Sequence, residues 1–299
     1  MVSWCQFAMN LGALNIEAVE EIFEHFGASS VTLTDADDNP VLEPGPGETP
    51  LWTNTTVTGM FSPDIDLQAL KAALISELHL SELPAHRTEM LEDRTWEREW
   101  LKDFSPMQFG KRLWIYPTGY DAPGGGEIII HLDPGLAFGT GTHATTALCL
   151  EWLDCLSLDG KTMLDYGCGS GVLAIAALKL GCSSATGVDI DPQALIATQQ
   201  NASDNEVSEN LNVLGAAIDI TSEFDVVIAN ILAGPLIQFA ESITRTLGEL
   251  GMLALSGILY EQADDVMTAF EPWIEFDPPV FREQDGQIWS RLTGKRRAD

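Results

Sequence analysis

The chain has 299 residues, enough for two domains, and a hydrophobic content of 45% lets each bury a core. Its 45 acidic residues against 15 basic ones leave a formal charge of −30, a field that repels nucleic acid and membrane surfaces and suits a basic partner or a salty habitat. No apolar run reaches the roughly 18 residues of a membrane helix, and Met1-Val-Ser-Trp-Cys-Gln-Phe7 lacks the basic and apolar regions of a signal peptide.

The first hundred residues read as βαββαβ. Residues 4–9 alternate as a strand, Asn15 caps a helix over 16–26 that stops at Gly27, and residues 30–34 form a second strand before the turn Asp37-Asp-Asn-Pro40. After the Pro44-Gly-Pro-Gly47 loop, 51–61 is a third strand, Asp64 or Asp66 opens a helix to about residue 78, and 87–91 is a fourth strand. This order predicts a small α+β ferredoxin-like domain over residues 1–92. Residues 93–105 are a charged helical linker, with Trp96 and Trp100 four apart and so on one face.

Residues 112–116 and 127–132 are apolar strands around Pro123-Gly-Gly-Gly126, which reads as a hairpin with a long turn. From residue 162 strands and helices alternate: strand 161–165, helix 172–180, strand 185–190, helix 192–205, strands 210–214 and 224–230, helix 235–247, strand 251–257 and helix 260–270. Such alternation builds a parallel sheet covered on both faces. The strands 273–276 and 287–292 flank Asp285-Gly286, a hairpin signal that closes the sheet with an antiparallel strand.

The chemistry centres on Asp165-Tyr-Gly-Cys-Gly-Ser-Gly171, where an acidic strand end is followed by glycines at alternate positions and then a helix. Such a turn lets a ligand approach the backbone at a helix N-terminus. Asp189, 22 residues past Gly167 at the next strand end, stands where a doubly wound sheet places the carboxylate that holds a ribose diol. The pattern is not G-x-G-x-x-G, and a D-x-G-x-G-x-G turn suits S-adenosylmethionine, which has no pyrophosphate. Asp165, Gly167, Gly169 and Asp189 are therefore expected to bind that cofactor. Cys168 reads as a small residue filling the turn. The five cysteines form no C-x-x-C pair, which indicates reduced thiols in a cytoplasmic protein, and no metal site is expected.

Two further segments belong with that loop. Asp133-Pro-Gly-Leu-Ala-Phe-Gly-Thr-Gly-Thr-His143 precedes the first strand of the sheet and runs into a helix. It can fold over a cofactor as a lid, its glycines and hydroxyls offering hydrogen bonds and Phe138 cover, while His143 is more readily a structural hydrogen-bonder than a base. Asn230-Ile-Leu-Ala-Gly-Pro235 ends a central strand, and the carboxyl ends of such strands line the ligand crevice. Asn230 there can accept from an amine, which fits N-methylation, or can cap the following helix. The residues predict a seven-stranded Rossmann-like class I methyltransferase domain over 106–299. An RNA base or glutamine amide as the target nitrogen, and a non-catalytic acidic module that binds a basic protein, are alternatives; the missing basic footprint counts against RNA, and the intact glycine loop against the module.

These strings, with Gly187-Val-Asp-Ile-Asp191, Trp96-Glu-Arg-Glu-Trp100 and Pro106-Met-Gln-Phe-Gly110, resemble the ribosomal protein L11 methyltransferase family over essentially the whole chain. The resemblance implies trimethylation of lysine and N-terminal amines on a basic ribosomal protein. It also implies that Thr146, Gly167, Asp189 and Asn230 frame the cofactor and reaction centre and that the N-terminal domain recognises the substrate; the charge leads to the expectation that neither nucleic acid nor membrane is bound directly. Oligomeric state is not legible.

Overall fold

A computed structural model describes residues 3–12, 14–35, 54–92, 105–117, 120, 125, 127–132, 143–215 and 220–297. The chain divides into two compact units, Met1–Glu99 and Trp100–Asp299. The expected loops at 37–40 and 44–47, the lid with Phe138, and all but the last residue of the expected linker lie outside the described residues. No helix among the described residues is long and apolar enough to cross a membrane.

The first unit runs β1 (Ser3–Asn10), α1 (Ile16–His25), β2 (Ser30–Asp35), β3 (Thr55–Phe61), α2 (Leu67–Glu77) and β4 (His86–Glu92), with sheet order β2-β3-β1-β4 and every pairing antiparallel. The expected βαββαβ order is observed. Asn15 caps α1 by accepting the Ala18 N–H at 2.8 Å, and Asp66, not Asp64, caps α2 by accepting from Gln68 and Ala69. Apolar residues on one face of each element, among them Phe7, Phe23, Val57, Phe61 and Leu70, form a separate core.

The second unit opens with a three-stranded sheet, β5 (Met107–Phe109), β6 (Leu113–Tyr116) and β7 (Ile128–His131). Here the sequence-based expectation is corrected. β6 and β7 are parallel, with Leu113 opposite Ile128, so the intervening residues are a crossover rather than a hairpin turn. The antiparallel partner of β6 is the short β5, which no sequence signal marked. The Asn205 side chain brackets β7: its Oδ1 accepts the His131 N–H at 2.8 Å and its Nδ2 donates to the His131 carbonyl at 2.7 Å. Buried Asp154 accepts from the Lys111 N–H and from Arg112, tying the β5–β6 turn to the next helix.

That helix, α3 (Ala144–Cys155), precedes the alternating part: β8 (Thr162–Tyr166), α4 (Val172–Lys179), β9 (Ser184–Asp189), α5 (Pro192–Asp204), β10 (Leu211–Gly215), β11 (Phe224–Asn230), α6 (Ala233–Gln238), α7 (Ala240–Arg245), β12 (Leu247–Leu259), α8 (Ala263–Phe270), β13 (Ile274–Phe276), β14 (Val280–Gln284) and β15 (Gln287–Arg296). The sheet order is β10-β9-β8-β11-β12-β15-β13, with β14 on β15 as an eighth strand. β8 through β12 pair in parallel and β15 runs antiparallel to β12, the Rossmann-like arrangement expected.

Buried strand residues alternate between two cores. Met163, Val226, Ile228 and Ala254 join α3 and α4, while Leu164, Val227, Ala229, Leu253 and Leu255 join α6, α7 and α8. This period of two, with apolar residues at both phases, explains the continuous hydrophobic runs. Two further boundaries differ from expectation. The helix expected over 235–247 starts at Ala233 and is interrupted at Phe239 (φ −102°, ψ 14°), with neither Gly nor Pro to signal it. The hairpin at Asp285-Gly286 joins β14 to β15; both turn residues have positive φ, 54° and 76°, as a two-residue turn demands.

Candidate active site

The carboxyl ends of β9, β8, β11 and β12 lie side by side. Parallel register sets Val188 against Tyr166, Tyr166 against Ala229, and Asn230 against Ser256, so the residues after β9 and β8 and the end of β11 converge on one edge. Strands about 4.8 Å apart bring Asp189, Gly167 and Asn230 within reach of a single small ligand.

The glycine loop leaves β8 at Gly167 and enters α4 at Gly171. Gly167, Gly169 and Gly171 have φ of 79°, 54° and 78°, in the left-handed region where a side chain is strained. Space adds a second constraint. A Cβ on Gly167 would lie 2.3 Å from Ile231 Cγ2, and one on Gly171 would lie 2.7 Å from Thr198 Cγ2. The loop is held in shape by its surroundings: Gly167 and Cys168 N–H groups donate to the Val188 carbonyl at 2.7 and 3.0 Å, and Asp189 Oδ2 accepts the Gly169 N–H at 2.9 Å. The other oxygen of Asp189 accepts from the Asp191 N–H.

Two groups on α5 complete the cradle, and the sequence reading missed them. Thr198 donates to the Gly169 carbonyl at 2.9 Å, and Asn201 donates to the Ser170 carbonyl at 2.8 Å. Ala194, Thr198 and Ala202 repeat at helical spacing on the buried face of α5, where a polar group needs a partner, but which partner it finds depends on how α5 packs. Ile190, directly after Asp189, is also newly visible: it is 87% exposed, a large apolar side chain beside the loop.

Asp165 lies beneath the loop, 1% exposed. Its Oδ2 accepts the Ala174 N–H at 3.1 Å, and its Oδ1 is buried with no hydrogen-bond partner among the described residues. Burial pushes its carboxyl up to about 7, opposed by the Ala174 N–H and reinforced by the Asp189 charge. Cys168 is buried in the turn with its thiol pushed up to about 12, chiefly by burial, which excludes a nucleophilic thiolate at neutral pH and fits its reading as a filler.

At the far side of the edge, the Asn230 Nδ2 donates to Thr146 Oγ1 at 3.4 Å, and Asn230 Oδ1 is buried without a partner among the described residues. α3 supplies Thr146 from its first turn, so the helix after the lid segment reaches the end of β11. His143 caps α3, its Nδ1 lying 2.8 Å from Thr145 Oγ1, and its ring packs edge-on to Trp289 at 4.6 Å. Burial lowers its pKa. These contacts make His143 a structural group. Of the expected site residues, Asp165, Gly167, Gly169 and Asp189 thus form one cluster and Thr146 and Asn230 another, joined where Gly167 abuts Ile231; Phe138 lies outside the described residues. No group of three or more metal-ligating side chains occurs among the described residues.

The sequence matches the family described as ribosomal protein L11 methyltransferase (PrmA) over residues 3–297. A ribosomal protein L11 methyltransferase of Actinobacillus pleuropneumoniae is 48% identical over 297 residues, covering 99% of this chain and 100% of the relative. One of Histophilus somni is 50% identical over 295 residues, covering 98% of each. Among solved structures, a ribosomal protein L11 methylase of Lactobacillus delbrueckii subsp. bulgaricus superposes with a TM-score of 0.58 at 32% identity, covering 64% of this chain and 99% of that one.

Proposed function

We infer the reaction from one premise: the chain belongs to the ribosomal protein L11 methyltransferase family. Its substrate is then that ribosomal protein, its methyl donor S-adenosylmethionine, and its acceptor atoms the amines of lysine and of the N-terminus, brought to one site by the first unit as the recognition element. The residues present fit the donor. The left-handed glycines at 167, 169 and 171 put no side chain between the turn backbone and a ligand, Asp189 offers carboxylate oxygens for a diol, and exposed Ile190 offers an apolar surface for a base.

The observation that carries amine methylation is the orphaned Asn230 Oδ1. The amide is oriented by its other end through Thr146, so the buried oxygen is an acceptor held ready for a donor from outside the fold, and leaving it unpaired costs about 1–3 kcal/mol. An amine nitrogen donates one hydrogen to that oxygen, which aims its lone pair away from Asn230 and across the edge towards the cradle. S-adenosylmethionine supplies, when bound, an electrophilic methyl to such a lone pair.

A lysine amine has an ordinary pKa near 10.4 and an α-amine one near 8, so the amine arrives charged and must lose a proton. Among the described residues no committed base faces Asn230, and the apolar wall formed by Ile231 and the neighbouring strand ends favours the neutral amine by desolvation, with the proton passing to water. Positioning supplies much of the acceleration, for which roughly 7–11 kcal/mol is available in favourable cases. Asn230 can take an N–H of the amine in the first two transfers; the neutral dimethylated amine has no N–H left, so the third transfer relies on packing and on exclusion of water rather than on that hydrogen bond.

The test is incubation with radiolabelled S-adenosylmethionine and total ribosomal protein, followed by mass spectrometry of the labelled species. Label in one small protein, on amines and in multiples of three methyls, is the expected result. Label in RNA or on a glutamine amide would overturn it.

A further inference from the structure

The second face of the sheet is covered by α6, α7 and α8 but not to its edge. Beyond the end of β12, a single 3-10 turn, Tyr260–Gln262, leads into α8. Tyr260 is 56% exposed and meets Phe281 of β14, 44% exposed, edge to face at 5.1 Å. Ile288, also exposed, follows on the same face, because Phe281 pairs with Ser290 and Glu283 with Ile288 across the β14–β15 ladder. The opposite face of this hairpin is already committed to α3: Arg282 donates to both oxygens of Glu151 at 2.8 and 2.7 Å, Arg291 donates to the Leu148 carbonyl, and Trp289 packs on His143.

Position and charge say what this open face is for. β15 pairs with the last residues of β12, Ile258 with Ser290 and Leu259 with Trp289, so the hairpin tip projects past the carboxyl edge of the sheet, where Asn230 lies. Ser256 is the cross-strand partner of Asn230, and Tyr260 follows four residues later, past left-handed Gly257 and the irregularity of β12 between Leu255 and Ile258. Glu261, next to Tyr260, and Glu283, on the Phe281 face, are exposed and make no ion pair among the described residues, while the nearby cation, Arg282, is bound to Glu151.

We propose that Tyr260, Phe281 and Ile288, flanked by Glu261 and Glu283, dock the basic stretch of the substrate protein that flanks the methylated amine. The proposal rests on the protein-methylating reading above. The occupant is an extended segment whose cations meet the carboxylates and aromatic faces and whose apolar atoms cover Ile288. Residues near the target amine in sequence reach the patch when that amine reaches Asn230. A second copy of this chain is a poor occupant, because it brings the same negative charge.

The test pairs kinetics with cross-linking, using recombinant ribosomal protein L11 as the probe. Tyr260→Ala with Phe281→Ala should raise KM for the protein at least tenfold, and Glu283→Gln should flatten its dependence on salt, with affinity for S-adenosylmethionine within twofold of wild type. A photoreactive phenylalanine analogue at position 281 should cross-link to residues near the modified amines. Unchanged KM and no cross-link, with wild-type turnover intact, would overturn the docking surface and leave the function standing. Dimers of this chain that the double variant abolishes would overturn it also, and absence of wild-type turnover would overturn both readings.

Discussion

Asp189 and Gly169 are joined by a hydrogen bond from the glycine N–H to the carboxylate, 2.9 Å long, across the ends of two adjacent strands. The carboxylate proposed to bind the cofactor diol thus also shapes the loop that cradles it. Asp189→Ala should lose both roles and weaken S-adenosylmethionine binding at least tenfold by calorimetry. Asp189→Asn keeps an acceptor and should lose less. Equal affinity for wild type and the alanine variant would remove Asp189 from the site.

Gly167→Ala should be worse than its single methyl suggests. The φ of 79° and the 2.3 Å approach to Ile231 predict a stability loss of roughly 1–3 kcal/mol by denaturant titration, together with loss of cofactor binding. A variant as stable as wild type would show that the β8 and β11 ends separate easily.

Asn230→Ala should lower kcat by roughly a hundredfold, the scale of a misplaced reacting group, with a smaller effect on cofactor affinity. Thr146→Val removes only the group that orients the amide and should cost less. The two readouts, single-turnover rate and cofactor affinity, are expected to separate; a purely structural Asn230 would instead lower thermal stability and both together.

Asp165 makes stability depend on pH. Its carboxyl titrates near 3.8 when unperturbed and at about 7 in the fold, so between those values the folded protein holds a proton that the unfolded chain has released. Stability therefore falls as pH rises through this window and levels off above about 7, with a slope of up to about 1.4 kcal/mol per pH unit from this one group. Asp165→Asn keeps an acceptor for the Ala174 N–H and should abolish that slope. Parallel pH profiles of unfolding free energy for the two proteins would refute it.

Cys155 is exposed, whereas Cys149, Cys168 and Cys182 have thiols pushed up to about 12, 12 and 11 by burial. Iodoacetamide at neutral pH should label Cys155 first in the folded protein, as read by peptide mass spectrometry, and reach the other three only on unfolding. Early labelling of Cys168 would mean that the glycine loop opens.

Much of the catalytic unit was legible because its information is local. The three glycines announce a turn that only glycine tolerates, and Asp189 is found by counting along a strand–helix–strand unit. The N-terminal order was readable for the same reason, down to Asn15 as a cap. What was not legible depends on pairing across distance. The direction of β7 relative to β6 cannot be read from the Gly-Pro-rich sequence between them, which reads as a turn whichever way the strands run. The break at Phe239 has no punctuating residue, and Thr198 and Asn201 become loop supports only once α5 is laid against the glycine loop. The orphaned oxygen of Asn230 required the opposite end of its amide to be located.

β7 forms one side of its three-stranded sheet, and the amide of Asn205 occupies both main-chain groups of His131 at that side. A bare strand edge invites another chain to pair with it. A side chain that copies the donor–acceptor pattern of a neighbouring strand closes that invitation without adding a strand, so replacing Asn205 would threaten solubility before it threatened catalysis.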